Sequence, residues 1–348
     1  MRPDGQHHYG LILAGGRGTR FWPRSRASRA KQVLRIAGES TLIQSTVERL
    51  RPILPPQRLW VLTSPALRDE IVRQLPEVPG EQIVAEPAPR NTAPAIGLAA
   101  RILAALDPDA VMGVFPADHV ITRPRRFLRI ARAAFRAASS GKMVVLGIAP
   151  RHAETGFGYI EFPRGVTAGS TTPLPVLRFR EKPELALARR YVKAGRFYWN
   201  AGMFFWRADV VLEALRRHIP KTARWLADPA SFARCQNISI DYAVLERERG
   251  VVGLACDDIG WSDVGSWDAV HALLGAGPDG HAARGDVVSL ASRDCYIDAE
   301  HKLVALVGVR DLIVVDTPDA LLIADRAHAQ KVGEVVKELA RRRRHDLL

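Results

Sequence analysis

Residues 13–32 read LAGGRGTRFWPRSRASRAKQ, three glycines and a cluster of cations straight after an apolar run. Gly15, Gly16 and Gly18 lack the side chain that would keep an anion away from backbone N–H groups, and a helix start beyond such a loop adds favourable partial charge. Arg17, Arg20, Arg24, Arg26 and Lys31 share the stretch. A turn needs glycine but not five cations, whereas a triphosphate calls for both. Two common phosphate loops do not fit: GxGxxG would need glycine where Phe21 stands, and GxxxxGK[ST] is absent.

On either side of this loop the chain alternates short apolar runs with helical periodicity. Tyr9–Ala14, Leu59–Thr63, Gln82–Ala85, Ala110–Phe115 and Met143–Ile148 read as buried strands. Ile43, Val47 and Leu50 share a helix face, and Ala93–Leu106 reads as a buried helix with Pro94 near its first turn. That alternation predicts an α/β fold, a mostly parallel Rossmann-like sheet with helices on both faces. Ligands of such sheets bind beyond the carboxyl ends of strands, where the glycine loop sits. From about Gly285 the pattern changes to short strands with frequent turns, then a helix with Val332, Val335, Val336 and Leu339 on one face. The expectation is a catalytic domain over 1–280 and a small strand-rich C-terminal domain over 281–348. A short stacked-rung solenoid, such as a left-handed β-helix, is one form that pattern allows. No Pro/Ser-rich linker separates the two parts, so rigid packing is expected.

The composition is that of a soluble globular protein of 348 residues, 47% hydrophobic and 25% charged. No apolar run reaches the roughly eighteen residues that a membrane helix needs, and MRPDGQHHYG has no apolar signal core. Cys235, Cys256 and Cys295 are odd in number, widely spaced and outside any CxxC pattern, which argues against a disulfide framework or zinc site and fits a reducing cytoplasm. The net charge of +13 is spread over many segments. No aromatic-interleaved basic stripe or nucleic-acid reading motif accompanies it, so a basic surface around an anionic-substrate pocket is expected, with no nucleic-acid or membrane partner.

Two carboxylates stand out. Asp118, in FPADHVI, lies just past the end of a buried strand, although a helix cap is the simpler role for such an aspartate. Asp263 sits in GWSDVGSWDA between tryptophans and glycines. If they converge, the two could hold one Mg²⁺ whose other positions are filled by phosphate oxygens and water. In FREKPE, Glu181 can accept from sugar hydroxyls and Lys182 can pair with a phosphate, or both can belong to an exposed turn. Asn200, in YWNAGMFFW, could bind a polar ligand or cap its own turn. His119 has no metal-ligand spacing and reads as structural. No Ser-His-Asp, Cys-His or GxSxG arrangement suggests a covalent nucleophile.

Taken together these segments resemble a known family. LAGGRGTRFWPRSRASRAKQ is similar to the sugar-nucleotide pyrophosphorylase signature GGxGxRxxPxSR…PKQ. EPAPRNTAPAIGLAA, FPADH, GFGYIE, EKPE, WNAGMF and GWSDVGSW follow in the order found in bacterial mannose-1-phosphate guanylyltransferases. The likeness runs from residue 9 to about 340. It implies that Leu13, Ala14, Gly15, Gly16 and Gly18 hold GTP, with Arg20 and Lys31 neutralising charge during transfer. Asn91 and Thr92 would lie near guanine and ribose, and Asp118 and Asp263 would bind Mg²⁺. Gly158, Glu181 and Asn200 would contact the mannose ring, with Lys182 on its phosphate. The implied reaction is transfer of GMP from GTP to mannose 1-phosphate; another sugar phosphate or base, or a non-catalytic relative, is the alternative. One departure is Ala30, where the signature has proline. The sequence also lacks the cupin region of bifunctional relatives, so transferase activity alone is expected. The apolar C-terminal strands lead us to expect a homodimer.

Overall fold

The computed structural model describes residues 5–275, 277 and 279–348. Residues 1–4, part of the segment read above for a signal core, lie outside the described residues. Among the described residues there are sixteen strands: β1 His8–Ala14, β2 Leu59–Thr63, β3 Ile83–Ala85, β4 Val111–Pro116, β5 Val120–Ile121, β6 Val144–Ile148, β7 Tyr159–Glu161, β8 Leu174–Pro175, β9 Arg178–Arg180, β10 Phe197–Arg207, β11 Val252–Cys256, β12 Trp261–Ser262, β13 Ala282–Leu290, β14 Tyr296–Val307, β15 Leu312–Asp316 and β16 Leu321–Asp325.

The main sheet runs β3-β2-β1-β4-β10-β6-β11-β8. Its first four strands, β1 to β4, are mutually parallel, and β6 pairs parallel with β11. Side chains alternate between two covered faces, as the two-residue period of a strand requires. Along β4, Val111 and Phe115 pack with the helices Leu42–Leu50, Pro65–Gln74 and Pro124–Ser139. Met112 and Val114 face Thr92–Leu106 and Ala208–His218. With both faces buried, these strands read as continuous apolar runs. The five strands expected from sequence are all present, with ends moved by a residue at most.

The difference is β10. The aromatic stretch around Asn200 is an eleven-residue strand, antiparallel to both β4 and β6, at the centre of the sheet. Its side chains are apolar on both faces and almost all buried, which suits a central position. Between Asn200 and Phe204 its register with β6 shifts, and Gly202 at φ +65° absorbs the bulge. That bulge lies at the carboxyl end of β4 and brings Asn200 to the ligand side of the sheet.

In the C-terminal part β13, β14 and β15 pair parallel and β16 closes the edge antiparallel. Ala282 lies opposite Tyr296, fourteen residues on; past a register shift Val287 lies opposite Val304, seventeen residues on, as Tyr296 does opposite Ile313. Coiling explains how parallel neighbours follow each other without a crossover helix. These strands share one apolar core with the catalytic part: Tyr296, Ile313, Val315, Leu322 and Val332 pack with Phe21, Trp22, Val264 and Trp267.

Candidate active site

The loop after β1, the loop after β4, the β10 bulge and the segment after β12 surround a cavity of about 530 Å³. It is lined by Leu13, Ala14, Gly15, Gly16, Gly18, Lys31, Asn91, Thr92, Asp118, Gly158, Glu181, Asn200 and Asp263. Those thirteen are all but two of the residues to which the resemblance gives a role. Arg20 and Lys182 are outside the lining. Arg20 is exposed and donates to the Gly265 carbonyl at 3.3 Å, on the loop that carries Asp263. Lys182, at φ +45°, folds back so that its ammonium lies 2.9 Å from Glu181 Oε1.

Within the glycine loop the glycines have different reasons. Gly18 has φ +61°, and a Cβ there would lie 2.4 Å from Lys31 Cβ, so both backbone and packing exclude a side chain. A Cβ at Gly16 would meet nothing within 4 Å of protein. Gly16 thus leaves its backbone open to the cavity that it lines. The five cations of the loop do not all face the cavity. Arg24 forms a two-pronged pair with Asp298 (3.0 and 2.6 Å), and Arg26 pairs with Asp319 at 3.0 Å. Both acids belong to the C-terminal part, so these two arginines bind domain to domain rather than phosphate. The sequence could not separate them from Arg20 and Lys31 because their partners lie almost three hundred residues away.

Lys31 is 4% exposed, and its ammonium donates to Asp118 Oδ2 at 2.9 Å and to the Asp263 carbonyl at 2.6 Å. An ammonium has three donors, which leaves one for the cavity. Asp118 lies deep but keeps 39% of its side chain open on that side. Burial is the largest influence and opposes its ionisation, yet the Lys31 ammonium, His119 and hydrogen bonds together outweigh it and hold the carboxyl below the usual range. Asp263 shifts the other way: burial raises it, Lys31 lowers it, and the neighbouring Asp118 and Glu154 raise it further. Two carboxylates close enough to perturb each other have thus been gathered from segments 145 residues apart. Among the described residues no third His, Cys, Asp or Glu completes a metal cage with them. Two hard oxygen donors lining one cavity fit a divalent cation that takes its remaining ligands from phosphate oxygens and water.

The far end of the cavity is polar and more elaborate than the sequence indicated. A Cβ at Gly158 would lie 2.3 Å from Glu181 Oε2, so glycine there makes room for that carboxylate. Glu181 Oε2 is buried without a hydrogen-bond partner. Asn200 donates from Nδ2 to Asp241 Oδ1 at 2.8 Å and accepts from the Gly202 amide at 3.1 Å. Asp241 was not singled out from sequence. Burial first, then the Glu181 carboxylate, push its carboxyl up to about 7. Its apolar neighbours in SIDYAVL hide it; only the tertiary approach of Glu181 and Asn200 marks it.

Glu86 was also missed. It follows β3, lines the cavity beside Gly15, and burial raises its carboxyl to about 7. Asn91 and Thr92 line the same end but also do structural work. Asn91 Oδ1 caps the helix by accepting from the Thr92 amide at 2.8 Å, and Thr92 Oγ1 accepts from the Ile240 amide at 2.9 Å. His119 accepts the Trp261 indole N–H on Nδ1 at 3.2 Å, and burial lowers its pKa to about 4. It is a neutral, structural histidine in the cavity wall.

A glycine loop, a lysine held between the Asp118 carboxylate and the Asp263 backbone carbonyl, and a polar pocket at the carboxyl edge of an α/β sheet are the equipment of a nucleotidyl transferase. Residues 9–275 match the nucleotidyl transferase family, and residues 285–339 match the MannoseP isomerase/GMP-like beta-helix domain. The chain is 41% identical over 362 aligned residues to the mannose-1-phosphate guanylyltransferase ManC of Salmonella typhimurium, covering 97% of this chain and 74% of that protein. Identity to the mannose-1-phosphate guanylyltransferase of Escherichia coli K12 is 39% over 360 residues, with the same coverage of each. The crystal structure of mannose-1-phosphate geranyltransferase from Thermus thermophilus aligns with a TM-score of 0.86 at 32% identity, over 96% of this chain and 99% of that one. The chain belongs to the mannose-1-phosphate guanylyltransferase family of nucleotidyl transferases. Enzymes of this kind generally need a divalent metal, in keeping with the paired carboxylates. Among the described residues no helix is long and apolar enough to cross a membrane.

Proposed function

We propose that this chain transfers GMP from GTP to α-D-mannose 1-phosphate, forming GDP-mannose and releasing pyrophosphate. The observation that carries this reading is Lys31, fixed between Asp118 and the Asp263 loop where the glycine loop meets the sugar-sized pocket. A phosphate oxygen of the sugar attacks the α-phosphorus of GTP in line, and pyrophosphate leaves opposite. Two anions must meet, so orientation and charge neutralisation supply most of the catalysis. Leu13, Ala14, Gly15, Gly16 and Gly18 present backbone to the triphosphate. Arg20 and the remaining Lys31 donor offset charge on the departing pyrophosphate. Mg²⁺ held by Asp118 and Asp263 would supply Lewis-acid neutralisation of the α-phosphate and sugar phosphate. Asn91 and Thr92 border the base and ribose. Gly158, Glu181 and Asn200 receive the mannose ring, and Glu181 Oε2, buried and unpaired, is the acceptor a sugar hydroxyl would satisfy. Lys182 would swing from Glu181 to the sugar phosphate.

Three buried, unpaired cysteines suit a cytoplasmic protein. We propose the boundary between the catalytic and strand-rich domains at 280/281, between the stretches 9–275 and 285–339 that match separate families. A homodimer is proposed through the outer face of the C-terminal strands, where Leu303, Val307, Leu321 and Ile323 are more than half exposed.

The test is pyrophosphate release over a matrix of nucleoside triphosphates and sugar 1-phosphates. GTP with mannose 1-phosphate should give the highest kcat/KM. Preference for dTTP or UTP with glucose 1-phosphate would replace the substrate pair, and no release with any pair would indicate a non-catalytic relative.

A further inference from the structure

The glycine loop is tied both to itself and to the C-terminal part. From Gly18 to Ser25 it folds into a compact knot: the Phe21 amide donates to the Gly18 carbonyl at 2.9 Å, the Ser25 amide to Phe21, and Ser25 Oγ to Gly18 at 2.8 Å. Gly18 in turn lies so close to Lys31 that an added Cβ would collide with it. The knot is anchored from behind by the C-terminal strands. Arg24 grips both oxygens of Asp298, whose side chain is only 4% exposed near the start of β14. Trp22 is fixed by the Leu347 carbonyl at 3.0 Å, and Trp267 Nε1 donates to the Trp22 carbonyl at 3.2 Å while its ring stacks on Tyr296. Trp267 follows Asp263 by four residues, so the same C-terminal core also seats the metal-side loop.

We propose that Arg24 and Asp298 are positioning residues for the transfer reaction: the strand-rich part holds the glycine loop, through this pair, where Lys31 reaches both Asp118 and the Asp263 backbone. The inference rests on the function proposed above. Arg24 occupies a position that the signature GGxGxRxxPxSR leaves open, so the strap is a feature of this chain rather than of the motif. Neither residue lines the cavity, and the Arg24 guanidinium is already occupied by both Asp298 oxygens. Their effect runs Asp298–Arg24–Ser25–Gly18–Lys31. Displacements of about 1 Å in such a chain cost up to about a hundredfold in rate.

Breaking one member of a buried ion pair leaves the other charge stranded and can unfold the protein, whereas replacing both by apolar residues is often neutral for stability. The informative variant is therefore the double replacement Arg24→Met with Asp298→Leu, alongside Arg24→Lys, which keeps the charge but loses the fork. Steady-state kinetics of the full chain should show kcat reduced about tenfold or more in the double variant and less in Arg24→Lys. KM for GTP should rise, while KM for mannose 1-phosphate and the melting temperature stay near wild type. Amide hydrogen exchange over residues 15–20 should quicken. A stable double variant whose kcat and loop exchange both remain within about twofold of wild type overturns the proposal while leaving the enzyme intact. If wild type itself releases no pyrophosphate, the functional reading fails, and the positioning role with it.

Discussion

The Lys31 ammonium lies 2.9 Å from Asp118 Oδ2 and 2.6 Å from the Asp263 carbonyl oxygen, so one buried cation ties the glycine loop to both carboxylate-bearing segments. The contact to Asp263 is through backbone, which separates structural from catalytic effects of changing its side chain. Asp263→Asn should leave the melting temperature unchanged or slightly higher, because burial already disfavours that charge. Turnover should fall by roughly a hundredfold or more, as for loss of a strong electrostatic group. Asp118→Asn should lose activity similarly but also lower stability, since the buried Lys31 loses its hydrogen-bonded counter-charge. Wild-type turnover at saturating Mg²⁺ in either variant would reduce that residue to a structural role. Lys31→Ala should raise KM for GTP and lower kcat together.

Gly16 and Gly18 make opposite predictions from the same substitution. Gly16→Ala should fold like wild type, because nothing in the protein lies within 4 Å of the added carbon. Its defect should appear as a higher KM for GTP. Gly18→Ala forces φ +61° on a residue with a side chain and collides with Lys31. It should lower the melting temperature by several degrees before any substrate is added. Thermal melts without and with GTP distinguish the two.

Ala30 tests the loop path. Its φ of −73° and ψ of 165° suit proline, and no backbone hydrogen bond from its amide would be lost. Ala30→Pro should therefore be neutral or stabilise by about 0.4–1 kcal/mol through the unfolded chain. Severe loss of activity would mean that the residues before Lys31 follow another course in the working enzyme.

Asp241 predicts a pH dependence. Its folded pKa, at about 7, lies above the 3.8 of an ordinary aspartate. Between those values the folded protein binds a proton that the unfolded chain has released, so stability falls as pH rises through this window. Asp241→Asn removes that loss while still accepting from Asn200. In the substrate-free protein its melting temperature should exceed wild type at about pH 8 and converge with it near about pH 4. Parallel curves across the range would show that Asp241 is already ionised in the fold.

The outer apolar strands predict association. Light scattering at micromolar concentration should give about twice the 38.4 kDa chain mass, and Leu321→Glu with Ile323→Glu should return it to one chain. A monomeric wild type would leave that face to another role.

The sequence by itself determined the local elements and the residue types of the site. Strands β1, β2, β3, β4 and β6 were legible because both faces of the sheet are covered, which demands unbroken apolar runs. Gly15, Gly16, Gly18, Lys31, Asp118 and Asp263 stood out because the chemistry of phosphate restricts what can hold it, and all six line one cavity. The tertiary structure decided direction and partnership. An antiparallel strand needs the same apolar residues as a parallel one, so nothing local showed that β10 runs backwards through the sheet or that its bulge delivers Asn200. A buried carboxylate is made by its neighbours, so Asp241 and Glu86 became visible only when Glu181, Asn200 and Gly15 arrived beside them. Arginine has one chemistry whether it faces phosphate or carboxylate. Arg24 and Arg26 were drawn from the first role to the second by Asp298 and Asp319, acids that only the folding of the C-terminal strands brings within reach.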